Sequence, residues 1–185
     1  MTEIRIQPGD WAVVSNGPQE STLMGSFTST AIQWATASRF NHAVICVGPG
    51  EVVEAQPGGA RRSTWNGYLG TNAVWSGGYG LTNPALQRPA LAAAALSLVG
   101  TPYGWGDIIA IGLAQQKLQK SRMHIDALVP MGKQPWWVRR LASKRTDICS
   151  QLVDACNLLC GIHLYDDGRP PGLVSPGDLG RLLGV

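Results

Sequence analysis

At 185 residues, 44% of them hydrophobic and 15% charged, the chain suits one domain with a substantial core and is short for two. Its longest apolar run, Pro89 to Val99, is 11 residues, against the roughly 20 that span a bilayer, so no transmembrane helix is expected. The net charge of +3 conceals an uneven distribution: residues 117–145 hold eight Lys or Arg against one acid, Asp126, so this segment carries +7 and the remainder −4.

The opening residues, Met1 to Asp10, have no basic start followed by an apolar stretch. The expectation is therefore synthesis in the cytosol, with any export by lysis or a dedicated secretion route, and with the four cysteines as free thiols. After the Pro8-Gly9-Asp10 turn, Trp11 to Val14 reads as a short strand, and Ser29 to Thr36 as a helix with Ile32, Trp34 and Ala35 available for packing. From Phe40 to Val47 the pattern alternates, turns at Gly48-Pro49-Gly50 and returns through Glu51 to Glu54, which predicts a β-hairpin. Gly58-Gly59 breaks the chain before a strand at Arg61 to Trp65, and Asn72 to Trp75 forms another; these read as successive antiparallel strands. Pro89 in the first turn, an Ala-Leu body and Gly100 at the end predict a helix over 88–99 with a buried apolar face.

Asp107 to Lys120 reads as a further helix, and Asp147 to Cys160 as the next. Between them the basic segment interleaves its charges with Leu128, Val129, Met131, Trp136 and Trp137. It suits an anionic surface such as a phospholipid leaflet or an acidic cell-wall polymer, or is a solvated insertion. No nucleic-acid-binding motif accompanies it, so nucleic acid is not an expected partner. Pro170-Pro171-Gly172 leads into a short closing helix near Ser175 to Leu183. The fold class is α+β, a small antiparallel sheet packed against helices.

Three residues on these elements carry chemistry. Cys149, in Thr146-Asp147-Ile148-Cys149-Ser150, falls at about the second helical position if Asp147 caps the helix, where unpaired amide dipoles favour thiolate over thiol. The same amides offer donors for the oxyanion of a tetrahedral intermediate. His42 begins the first strand of the hairpin, and a turn centred near Gly48 sets Glu54 nearly opposite it, within reach of one ring nitrogen. The other nitrogen is left for the thiol. A slipped register makes Gln56 the orienting group instead. Together these are the parts of a Cys-His-acid nucleophilic site. Each has a plainer reading, as a small buried hydrophobe, a half-buried histidine and a solvated strand end.

These motifs resemble the NlpC/P60 superfamily of papain-like cysteine hydrolases. Members show a Gly-Asp strand start, a hairpin with His and a polar residue twelve later, a Gly-Thr-Pro-Tyr-x-Trp-Gly segment, and Cys-Ser-x-Leu-Val opening a helix. The chain carries Pro8-Gly9-Asp10, His42 with Glu54, Gly100-Thr101-Pro102-Tyr103-Gly104-Trp105-Gly106, and Cys149-Ser150-Gln151-Leu152-Val153. Its cysteine follows the hairpin rather than preceding it, and Val174-Ser175-Pro176-Gly177-Asp178-Leu179 closes the chain, as in the circularly permuted branch that includes the YiiX/YaeF-like proteins. The resemblance implies a papain-like domain with Cys149 as nucleophile, His42 as general base and Glu54 as its orienting residue. It places Tyr103 and Ser150 at the substrate or oxyanion, and needs no cofactor. The implied reaction is hydrolysis of an amide in cell-wall-type peptides through an acyl-enzyme. Lipid acyl hydrolysis or transfer at a membrane surface, and non-catalytic binding of peptide or lipid, are the alternatives.

Metal binding is the rival chemistry, since Cys149, Cys156 and Cys160 lie on one helical stripe with His163 nearby. Seven residues of helix rise about 10.5 Å, far too much for one tetrahedral zinc with bonds of about 2.3 Å, so no metal site is expected. Cys46, alternating with His42 and Val44, is expected in the core.

Overall fold

The computed structural model describes residues 6–15, 38–56, 58–68, 72–103, 149–166 and 174–185. Among these residues, five antiparallel strands form one sheet: β1 (Trp11–Ser15), β2 (His42–Gly48), β3 (Glu51–Gln56), β4 (Gly59–Thr64) and β5 (Asn72–Trp75), in the order β4-β3-β2-β1-β5. Three helices accompany them among the described residues: α1 (Pro84–Ser97), α2 (Cys149–Leu159) and α3 (Pro176–Leu182). The class is α+β. No helix of the described residues is long and apolar enough to cross a membrane.

The alternation along the strands sorts side chains onto two faces. Trp11, Val13, Ala43, Ile45, Val53 and Ala55 join Leu91 and Ala95 of α1 and Leu152, Val153 and Cys156 of α2 in the main core. Burying side chains the size of Ile45 or Leu152 contributes about 1.5–3 kcal/mol each. On the opposite face, Ala12, Val14, Val44 and Val52 pack with Tyr68, Trp65, Ala73 and Trp75. Helix α2 is the central element. It packs on β2, β3, α1 and α3, and is buried at Cys149 through Asp154 and again at Cys156 and Asn157.

Two contacts brace the ends of the site-bearing strands. Asp10, buried just before β1, accepts from the Gln7 amide and from Arg88 Nη1, both at 2.8 Å, which ties the Gly-Asp strand start to α1. Helix α3 begins at Ser175 with a reciprocal capping box to Asp178. A Cβ at Gly180 would lie 2.7 Å from the Phe40 ring, so glycine is what lets α3 rest on the residues leading into β2.

Several expectations shift. The helix expected over 88–99 runs from Pro84 to Ser97: Pro84 occupies the first turn, where a missing N–H removes no bond, and Gln87 Oε1 accepts from the Thr82 and Asn83 amides at 2.9 and 2.8 Å. Pro89 therefore lies inside the helix. The buried face is Leu91, Ala92 and Ala95, while Leu86 is 71% exposed. The strand expected at Arg61 to Trp65 begins at Gly59 and gives way at Trp65 to a 3₁₀ turn, Trp65–Tyr68. Strand β5 does not follow β4 in the sheet but crosses to pair with β1. The expected helices at Ser29 to Thr36 and Asp107 to Lys120, the Asp147 cap and the basic segment 117–145 lie outside the described residues.

Candidate active site

His42 is the first residue of β2 and pairs with Val14 of β1. It shares the face of Val44, the side of the sheet that carries Tyr68. The hairpin register differs from the sequence expectation: Glu54 pairs with Val44 rather than standing opposite His42. The cause is an irregularity between Cys46 and Gly48. Gly48 pairs with Glu51, and an uninterrupted ladder from there would set Glu54 against Ile45, on the core side. The extra residue, Val47, moves the pairing by one and returns Glu54 to the face of His42. The two side chains then meet along a diagonal, with His42 Nε2 2.8 Å from Glu54 Oε2.

Glu54 is 1% exposed and heavily partnered. Besides His42, its Oε2 accepts from Gln56 Nε2 at 2.8 Å and from the Tyr68 hydroxyl, and its Oε1 accepts from Arg61 Nε at 3.2 Å. Gln56 therefore supports Glu54 instead of substituting for it. Burial alone would favour the neutral acid, but the hydrogen bond and charge of His42 and the donors of Tyr68 and Gln56 outweigh it, holding Glu54 well below the usual carboxylate range.

The imidazole answers in kind. Burial opposes its charge, yet the negative charge of Cys149 and a hydrogen bond with it, followed by the bond and charge of Glu54, push His42 from 6.5 up to about 10. Cys149 thus lies within hydrogen-bonding reach of His42 at the start of the described part of α2, and is itself 1% exposed. The His42 side chain, 13% exposed, is the wetter partner. A sulfur, an imidazole and a carboxylate in series can hold a proton and release it to a leaving group.

Tyr103 reaches the same place by a different route. The Gly100 amide donates to the Ala60 carbonyl at 2.8 Å and the Ala60 amide to the Thr101 carbonyl at 2.9 Å, which lays residues 100–103 along the start of β4. Gly59 permits this approach: its φ is 115°, and a Cβ there would stand 2.6 Å from the Thr101 oxygen. Burial and the charge of Cys149 push the Tyr103 phenol well above its ordinary value, so it stays protonated beside the sulfur. Ser150 is placed otherwise. Its hydroxyl donates to the Val174 carbonyl at 2.7 Å and is wholly buried, so the side chain joins α2 to the segment before α3. Residues 104–106 of the glycine-rich motif lie outside the described residues.

The other thiols are structural. Cys46 is buried with its sulfur 3.4 Å from the Gly48 carbonyl, Cys156 packs in the core, and all four cysteines are free. Among the described residues, no group of three or more His, Cys, Asp or Glu is placed to hold a metal ion.

Tyr68 and Arg61 are site residues that the sequence reading missed. Tyr68 follows a strand rich in polar residues and is 26 positions from His42, with no periodicity linking the two. Arg61 carried a faint signal, since it follows Gly58-Gly59 on a strand expected to neighbour the hairpin. No protein-family model matches the chain, and no curated protein matches it.

Proposed function

We propose that the chain is a cysteine hydrolase of the permuted, papain-like NlpC/P60 kind, acting on an amide bond in cell-wall-type peptides. The observation that carries this reading is the series Cys149–His42–Glu54, in which one imidazole is coupled to the Cys149 sulfur on one side and bonded to a buried carboxylate on the other. Nε2 is engaged by Glu54, so Nδ1 is the nitrogen for the sulfur. With the proton of the pair resting on Nδ1, the Cys149 thiolate attacks the scissile carbonyl carbon. Amides at the start of α2 and the Tyr103 hydroxyl receive the developing oxyanion. As the C–N bond breaks, imidazolium gives its Nδ1 proton to the amine, leaving a thioester on Cys149. Water then attacks the thioester carbonyl while His42 takes its proton, and the returning thiolate leaves a carboxylic acid.

Purified peptidoglycan and phospholipid vesicles, each incubated with the protein and with Cys149→Ala, discriminate the substrate classes. Soluble peptide released from peptidoglycan by the native protein, and none by the variant, is the expected result. Fatty acid released from vesicles instead would reassign the bond to an ester. Equal activity of Cys149→Ala would overturn the hydrolase reading.

A further inference from the structure

We propose that Tyr68 is a positioning residue of this site, acting through Glu54, and that its hydroxyl rather than its ring is what the site requires. The inference rests on the thiolate–imidazole reading above and adds a fourth member to it.

Tyr68 closes the 3₁₀ turn after β4 and is 3% exposed. Its hydroxyl donates to Glu54 Oε2, the same oxygen that His42 Nε2 meets at 2.8 Å, and stands 3.2 Å from Nε2 itself. The two rings lie 5.9 Å apart and 25° from parallel. Glu54 faces His42 from β2, Tyr68 from the turn, Arg61 from β4 and Gln56 from its own strand, with Cys149 of α2 beyond the imidazole. A carboxylate only accepts, so both Tyr68 O–H and His42 Nε2–H are donors to it. Burial and the neighbouring charge of Glu54 keep the phenol protonated, which preserves that direction.

The consequence concerns the proton that stays behind. When Nδ1 releases its proton to the leaving amine, the remaining proton is held at Nε2 by a carboxylate that Tyr68 has fixed in place and kept ionised. Nδ1 is then the basic nitrogen facing the thioester, ready for water. Without the phenolic O–H, Glu54 is freer to rotate or take a proton, and the imidazole loses its fixed direction. Tyr68 keeps its own proton throughout and touches no reacting atom.

Four proteins test this: native, Tyr68→Phe, Glu54→Gln and the double variant, compared by the rate of iodoacetamide addition to Cys149 near pH 7, read by mass spectrometry. Tyr68→Phe keeps the ring and loses one charge-assisted bond, so the rate is expected to fall about tenfold to a hundredfold. Glu54→Gln should fall at least as far, and the double variant should match Glu54→Gln within a factor of about two, because Tyr68 has nothing left to act through. A Tyr68→Phe rate equal to native, or a double variant slowed by the product of the two single effects, would overturn the proposal. A second readout needs Tyr68→Phe alone: the downfield His42 Nε2–H proton resonance should exchange with water faster than in the native protein, and an unchanged exchange rate would count against it. His42→Ala separates this from the underlying reading. If that variant alkylates like the native protein, the thiolate–imidazole pair itself is wrong; if it is slow while Tyr68→Phe is native, only the role of Tyr68 fails.

Discussion

Replacing His42 with alanine is expected to lower kcat/KM by about 10⁴-fold on whichever substrate the peptidoglycan and vesicle comparison identifies. General acid–base catalysis contributes about 10²–10⁴ on its own, and members of a catalytic unit fail together rather than additively. His42 holds the proton that pairs it with the sulfur, gives it to the leaving group and takes one from water, so one substitution removes all three. The fold should survive. Glu54 retains Tyr68, Gln56 and Arg61 as partners, and the position is only half-buried at the first residue of β2. Steady-state kinetics beside a thermal melt check both halves, and activity within tenfold of native would mean that His42 is not the base.

Glu54→Gln is expected to destabilise the protein by about 3 kcal/mol at pH 5.5, since removing one member of a buried pair leaves the other charge poorly compensated. The pH dependence follows from the direction of each shift. Glu54 is depressed in the folded state, so its contribution is whole above its ordinary 4.5 and is lost as pH falls through the lower native value. His42 is raised, so its contribution is whole below 6.5 and is lost as pH rises through about 10. The native protein should therefore gain most from the pair between about pH 4.5 and 6.5. In Glu54→Gln the acid-side loss from this group should vanish, while part of the alkaline loss remains because Cys149 still supports the imidazolium. Urea unfolding at pH 4, 5.5 and 9 reads the difference. Parallel profiles for native and variant would show that Glu54 is not held as a carboxylate by its neighbours.

The hairpin shows where the sequence was legible and where it was not. Alternation through His42, Val44 and Cys46 against Ala43 and Ile45 marks β2 plainly, and Glu54 lies on the correct face. The register is not marked. Gly48-Pro49-Gly50 is compatible with several turns, and a single extra residue at Val47 leaves no trace in a period-two pattern. The expected and observed pairings differ by two residues, an even number, and so the face survives the error. Tyr68 was invisible for another reason: its approach to His42 depends on where a 3₁₀ turn folds an aromatic back over the sheet, a tertiary event without a local pattern. Ser150 illustrates the limit of adjacency. One residue along a helix turns the side chain by about 100°, so a neighbour of the candidate nucleophile can point into packing instead. Pro89 read as the helix start because a proline suits a first turn, whereas Pro84 fills that place and the Gln87 contacts to Thr82 and Asn83 extend the helix back to it.

The most direct test of the coupled Cys149–His42 pair is an NMR titration of the His42 ring nitrogens in the native protein and in Cys149→Ala, with the resonances assigned by loss in His42→Gln. The account predicts that the native ring stays imidazolium well past neutrality, up to about pH 10, and that removing the sulfur brings its titration back toward 6.5. A native ring that titrates near 6.5 and does not respond to Cys149→Ala would contradict it, leaving Cys149 a buried core thiol and His42 a histidine held by Glu54 alone.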